Sequence, residues 1–422
     1  MKVLSLFSGI GPFELALKRI GMNVELVGFS EIDKYATKSY CAIHGVDESL
    51  NLGDISKINL PKLKTLGNVD LITHRSPYQG FSITNRLVGD GNGFNTRSSL
   101  MWYTLSIIKV AHPKYVIWEN VKNLLSSKNK HNFDSYLKIM DKLGYSNYYK
   151  ILNSKHYGVP QDRERVFTVS IRKDIDTGYE FPEEIELTKK LKDVLEKNVD
   201  EKYYLSDELI AGLTTNTEQQ KEKGDRLPKI ITYDVTQKVK VRKYPVDVDE
   251  LREVLRESKA KVKITNIKLA EKLGIPKTRV EHYFRQDECF AIPNPKIWHE
   301  LKKLLKIDTD KFDKSMMTFE EKDGVFTKAD RVYDEQGLSP TLTSQENIVV
   351  VVREESDEQK SETNHRPHVR KLTPKEYWRL MGFNDEEFDK ARGTGISNTQ
   401  LYKQAGNSIV VKVLEAIFKE IK

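Results

Sequence analysis

The sequence predicts an open, mostly parallel α/β sheet for residues 1–175, and three observations carry that expectation. Short apolar runs alternate with helix-length segments, the first run ends in a glycine turn that opens into a helix, and charged residues recur at the ends of later runs. Val3 to Phe7 is the first buried strand, Gly9 and Gly11 form the turn, and Phe13 to Ile20 is the helix that follows. Val24 to Phe29 is the second strand, followed by a helical segment that carries Cys41. Val69 to Thr73, Tyr115 to Trp118 and Val166 to Ile171 read as further strands, separated by the helices Ser99 to Val110 and Phe133 to Leu143. Residues 176–228 turn Lys/Glu-rich and weakly patterned, which marks a hinge. Residues 229–365 mix short strands, charged helices and a polar loop and read as a second, smaller domain, and 366–422 return to compact apolar helices.

The chain has 422 residues, 69 Lys+Arg against 62 Asp+Glu, and two cysteines, Cys41 and Cys289. Its 38% hydrophobic and 31% charged residues suit a globular chain of two or three domains. Two widely separated cysteines build neither a disulfide framework nor a zinc or CxxC redox site, so no metal is expected and the setting is a reducing cytoplasm. No run approaches the ~18 apolar residues of a membrane span, and MKVLSLF leads into a glycine turn rather than a cleavable leader. The net charge of +7 is compatible with a polyanionic partner without requiring one.

Four segments hold residues suited to chemistry. In LFSGIGPFELAL (6–17) the glycines let backbone approach a ligand and the helix start offers free N–H groups. The pattern lacks the third glycine of a dinucleotide fingerprint, and such a turn is also an ordinary structural device. Glu31, twenty positions beyond Gly11 at the end of the second strand, stands where a ribose needs a carboxylate, and Asp54 offers a second acidic contact. Together the three favour an adenosine-containing cofactor. Ser76-Pro77-Tyr78-Gln79-Gly80-Phe81-Ser82 lies past the third strand, where ligand sites of open sheets form. Glu119 ends the next strand, and Arg163 and Arg165 in QDRER project from one side of an extended chain.

In this order the segments resemble the DNA (cytosine-5)-methyltransferase family: FSGIGPFE its cofactor motif, SPYQGFS its nucleophile loop, ENV its carboxylate motif and QDRER its arginine motif. RKLTPKEYWRLMGF (370–383) and YKQAGNSIVV (402–411) are similar to its last two motifs, so the likeness covers both ends of the chain. The resemblance implies a Rossmann-like large domain (1–175), a target recognition domain (229–365) and a last helix within 366–422 that returns to the large domain. It implies S-adenosylmethionine as cofactor, with S-adenosylhomocysteine as product, held by Phe7, Gly9, Gly11, Glu31, Asp54, Pro77, Leu100, Asn407 and Ser408. The implied reaction is methyl transfer to C5 of a cytosine flipped out of duplex DNA, with Glu119 near N3 of the base and Arg163 and Arg165 orienting the base and nucleophile. The expected protein is a monomer, and a cognate restriction endonuclease is a further partner such an enzyme can have.

The sequence departs from the family at the nucleophile. Tyr78 stands where the family has cysteine, and Arg75 where it usually has glycine. A phenol with pKa near ~10 furnishes far less anion at neutral pH than a thiol near ~8.5, so little or no methylation is expected of this chain. Each departure is one G-to-A codon change from the family residue, which points to an inactivated or engineered copy. A natural noncatalytic, sequence-specific DNA-binding relative and a tRNA cytosine methyltransferase on the same scaffold are the alternatives.

Within the recognition region, KITNIKLAEKLGIPKTRVEHYF (263–284) shows two short helical periods hinged at Gly274, with Pro276 opening the second. The pattern fits a helix-turn-helix whose second helix presents Lys277, Thr278, Arg279, His282 and Arg285 to DNA; a plain helical hairpin has the same pattern.

Overall fold

The computed structural model describes residues 1–63, 67–76, 99–205, 232–233, 238–286, 290–323, 332–344, 348–352 and 368–421. The chain forms two compact units, Met1–Val235 with Thr327–Lys422, and Thr236–Phe326.

The first unit carries a six-stranded sheet of β1 (Lys2–Leu6), β2 (Glu25–Ser30), β3 (Leu71–His74), β4 (Tyr115–Val121), β5 (Tyr145–Asn153) and β6 (Glu164–Arg172). Their order is β2-β1-β3-β4-β6-β5; the first four pair in parallel, and β6 runs antiparallel to both of its neighbours. The α/β class follows from apolar strands buried on both faces. In β1, Val3 and Leu4 point to opposite faces and enter different cores. β5, with sequence YSNYYKILN, escaped the sequence reading because an edge strand needs no continuous apolar run.

Five helices accompany these strands: α1 (Pro12–Arg19), α2 (Lys34–His44), α3 (Leu60–Leu63), α4 (Ser99–Ala111) and α5 (Lys130–Lys142). Gly11, at φ 77°, supplies the left-handed turn before α1, and Pro12 suits the first helical position because its missing N–H has no partner to lose there. Asp33 caps α2 by accepting from the N–H groups of Tyr35 and Ala36. One core gathers Phe13, Ala16 and Leu17 of α1 with Val413, Leu414, Ile417 and Phe418 of the last helix, Val411–Lys419. The other gathers Met101, Leu105 and Ile108 of α4 with Phe133, Tyr136 and Met140 of α5.

The C-terminal segment is fixed to the N-terminal one by side chains as well as by apolar packing. Phe13 meets Phe418 edge-on at 6.4 Å, while Arg19 donates to Glu387 (2.6 Å), to Glu415 (3.3 Å) and to the Gly382 carbonyl (2.8 Å). The RKLTPKEYW segment is built around a buried ion pair: Arg370 donates to both oxygens of Glu376 at 2.8 and 2.6 Å, and Thr373 caps the helix Pro374–Leu380. Strands Thr232–Tyr233, Val332–Asp334, Val349–Val352 and His368–Lys371 make a four-stranded sheet, also in the first unit. The stretch 229–365 therefore divides between the two units.

The second unit pairs strand Lys238–Arg242 with Phe319–Asp323 and surrounds a core of its own, which includes Leu251, Leu255, Leu269, Val280, Trp298, Leu301 and Met316. Helices Asn266–Leu273 and Lys277–His282 are joined by a tight turn in which Gly274 adopts φ 63°. Thr265 caps the first of them by accepting from the Lys268 N–H.

Candidate active site

The carboxyl ends of β1, β2 and β3 and the end of β4 open into a cleft of about 410 Å³, the size range of small-ligand sites. Because β6 is antiparallel, its beginning rather than its end reaches this edge, which brings Arg163 and Arg165 into a cleft otherwise built by strand termini. Phe7, Gly9, Glu31, Arg75, Glu119, Arg163, Arg165, Asn407 and Ser408 all line it.

The β1 turn is held in a strained shape. Phe7 has φ 54° although it is not glycine, and Gly9 follows at φ 58°. The Gly9 N–H donates to Glu31 Oε2 at 2.9 Å, and Glu31 Oε1 accepts from the N–H groups of Ile32 and Asp33 at 2.9 and 2.8 Å. The carboxylate is thereby locked at the tip of β2 and remains part of the cleft wall. Asp33, also in the wall, accepts from Lys403 Nζ at 2.6 Å, which ties α2 to the segment bearing Asn407 and Ser408.

Glu119, 4% exposed, sits between two guanidinium groups: Arg75 Nε is 3.1 Å from Oε2 and Arg165 Nε is 3.2 Å from Oε1. Arg163, 2% exposed, instead donates to the carbonyls of Leu342 (3.1 Å), Gly406 (3.0 Å) and Ser408 (2.9 Å). It works as a bracket that fastens the 337–343 loop and the Asn407–Ser408 turn to β6. Burial lowers the pKa of Arg163 well below its usual value, and that of Arg165 to a lesser degree; neighbouring cations lower both further, while Glu119 opposes the shift.

Beneath the cleft lies a buried polar chain that the sequence did not announce. His74 places Nδ1 3.0 Å from Ser76 Oγ and Nε2 3.3 Å from Tyr136 Oη, and Ser76 Oγ is 2.6 Å from Thr104 Oγ1. Thr104 donates to the Leu100 carbonyl, so Ser76 donates to Thr104, His74 Nδ1 donates to Ser76, and Nε2 accepts from Tyr136. That assignment requires a neutral imidazole, and burial holds its pKa down at about 3. The Ser76 carbonyl accepts from Trp118 Nε1 (3.2 Å) and Asn120 Nδ2 (3.0 Å), which anchors the chain immediately before residue 77.

Of the other residues singled out in the sequence, Gly11 caps α1 and is absent from the cleft wall; a Cβ there would come within 2.1 Å of His44 Nε2. Asp54 caps a short helical turn by accepting from Ser56, and Leu100 packs into the core of α4 and α5, so neither lines the cleft. Pro77, Tyr78 and Cys289 lie outside the described residues. Sequence reasoning gave no role to Gln161 of the QDRER segment, whose Nε2 donates to the Leu380 carbonyl (2.7 Å) while its Oε1 accepts from the Leu342 N–H (3.2 Å). In the second unit Lys277, Thr278, Arg279, His282 and Arg285 are exposed, and Lys277 pairs with Glu281 at 3.2 Å. No helix of the described residues is long and apolar enough to cross a membrane.

The residues of the cleft fit an adenosyl cofactor: a glycine turn close to the ligand space, a fixed carboxylate at the tip of β2 and a turn carrying Asn407 and Ser408 opposite. Comparison with known proteins agrees. Residues 1–422 match the family described as C-5 cytosine-specific DNA methylase. The chain is 35% identical over 453 residues to the orphan methyltransferase M.SPRI of Bacillus phage SPR, covering 100% of this chain and 97% of that protein. It is 32% identical over 485 residues to the orphan methyltransferase M.SPBetaI of Bacillus phage SPbeta, with the same coverage. Among solved structures it resembles the Dnmt2 methyltransferase of S. pombe in fold, with a TM-score of 0.57 at 16% identity over 99% of this chain and 96% of that one.

Proposed function

The chain belongs to the C-5 cytosine-specific DNA methylase family, a family that uses S-adenosylmethionine, and on that premise we propose that it is a sequence-specific DNA (cytosine-5)-methyltransferase disabled at its nucleophile. The observation that carries the reading is the Glu119 carboxylate held by Arg165 in a cleft whose other wall is the Gly9–Glu31 turn.

Cytosine C5 is a poor nucleophile, so the reaction begins with addition of an anion to C6, and the enamine so formed is the species that accepts a methyl group. In this reading Glu119 holds a proton at N3 of the base, Arg165 fixes that carboxylate, and Arg163 keeps the Asn407–Ser408 turn in place as a positioning residue. Gly9, Glu31, Asn407 and Ser408 hold the cofactor; when bound, S-adenosylmethionine supplies an electrophilic methyl group on a sulfonium sulfur. The target base must leave the duplex to reach Glu119, which opposes binding by a few kcal/mol.

Tyr78 disables the first step. At neutral pH a phenol carries about thirtyfold less anion than a thiol, and its hard oxygen is the poorer nucleophile for C6. The test is to measure transfer of tritiated methyl groups from S-adenosylmethionine to mixed-sequence duplex DNA. The chain as it stands should show background incorporation, and Tyr78→Cys with Arg75→Gly should raise it by at least ~100-fold. A double variant as inert as its parent would sink the proposal.

A further inference from the structure

Arg75 gives the cleft wall more cations than carboxylates. Its guanidinium reaches across the cleft floor: Nε pairs with Glu119 Oε2 at 3.1 Å, and a Cβ built on Gly9 would lie 3.8 Å from Nη1. The side chain thus spans from the catalytic carboxylate to the glycine turn. Glu119 is already engaged by Arg165 at 3.2 Å, and the adjacent Arg163 donates to neutral carbonyls. This end of the cleft therefore sets three guanidinium groups against one carboxylate. Over the whole wall Arg75, Arg163, Arg165 and Lys403 face Glu31, Asp33 and Glu119, so Arg75 leaves one cation in excess; Glu31 is held away from it by three backbone N–H groups and Asp33 by Lys403. Burial is the main cause of the lowered pKa of Arg163 and Arg165, and Arg75 adds a smaller like-charge contribution to each.

We propose that Arg75 makes the cleft select its ligand by charge, disfavouring the sulfonium of S-adenosylmethionine and retaining the neutral thioether of S-adenosylhomocysteine. The inference rests on the cofactor reading above and adds a specificity-determining residue to it. The two ligands differ by one methyl group and one positive charge, and a fixed cation in a partly desolvated site acts on the second difference. Arg75 thereby obstructs methylation independently of Tyr78: it favours the spent form of the cofactor and occupies the Glu119 oxygen that would otherwise face the base.

Calorimetric titration of the full-length protein tests the idea with three ligands: S-adenosylmethionine, S-adenosylhomocysteine and sinefungin, whose amine places a stable cation where the sulfonium stands. The parent chain should bind S-adenosylhomocysteine at least ~10-fold tighter than either cation. Arg75→Gly and Arg75→Gln should bring the three within about threefold, and Arg75→Lys should keep the preference. An unchanged ratio in the glycine and glutamine variants, or its loss in the lysine variant, overturns charge selection. A parent that binds none of the three while Arg75→Gly binds all alike also overturns it, in favour of plain obstruction. Absence of binding to all four proteins overturns the cofactor reading itself.

Discussion

His74 shows how much of this site depends on a single residue kept uncharged. It is 0% exposed, and its neutral ring both donates to Ser76 and accepts from Tyr136; a protonated ring could not do the second. Its pKa falls from the ordinary ~6.5 to about 3 in the folded protein. The depressed value means that the unfolded chain binds a proton more readily than the native one, so stability is full above pH ~6.5 and is lost as pH falls toward 3. The expected loss from this group is about 1.4 kcal/mol per pH unit. Glu14, whose buried carboxyl has a raised pKa, acts with the opposite sign but is common to parent and variant. Urea unfolding at pH 7, 6 and 5 should show a steeper fall for the parent than for His74→Asn, and equal slopes would remove His74 from the account. Nothing in the sequence announced this residue, because a lone histidine at a strand end has no motif, its partner Tyr136 lies some sixty positions away in α5, and its other partner Ser76 is oriented by Thr104 of α4. Glu31 and Glu119 were legible because each sits at the carboxyl end of a strand, where the open sheet collects its ligands, and Arg165 because it stands with Arg163 just where β6 begins. Arg163 was legible as a site residue but not as a bracket, since the carbonyls it binds belong to residues 342, 406 and 408.

At the scale of elements, the parallel strands were readable from apolar runs, whereas β5 was not, and the two short helices at 266–282 were readable from the glycine between them. What periodicity could not say is whether those helices form a hairpin or a DNA-reading unit. Val280 and Tyr283 are buried in the core of the second unit, and the same turn of chain leaves Lys277, Thr278 and Arg279 exposed. Lys277 already has Glu281 as a partner, an exposed pair of the kind that contributes at most about 1 kcal/mol and yields readily to a phosphate. If this face contacts the DNA backbone, Lys277→Ala with Arg279→Ala weakens binding and reduces the slope of log K against log salt by ~1.8, since each phosphate contact contributes ~0.9. Filter binding or anisotropy between 50 and 200 mM salt reads this out. A slope equal to the parent's would assign the two helices to packing alone.

At the scale of the molecule, the larger unit is discontinuous in sequence: it is made by Met1–Val235 and completed only by Thr327–Lys422. The last helix buries Val413, Leu414, Ile417 and Phe418 against a core that holds Phe13, Ala16 and Leu17 of α1. At about 1.5–3 kcal/mol for each fully buried side chain, removing those four withdraws roughly 6–12 kcal/mol, as much as an entire domain commonly has. The smaller unit, Thr236–Phe326, is continuous and has Leu251, Trp298, Leu301 and Leu305 in a core of its own. The two units should therefore respond differently to loss of the chain end. A protein ending at Val410 should lose the larger calorimetric transition and its binding of adenosyl ligands, while the transition of the smaller unit survives near its original temperature. Two intact transitions after truncation would mean that the last helix is dispensable to the sheet it covers. Loss of both would mean that the smaller unit draws its stability from the larger one, against the self-contained core assigned to it here.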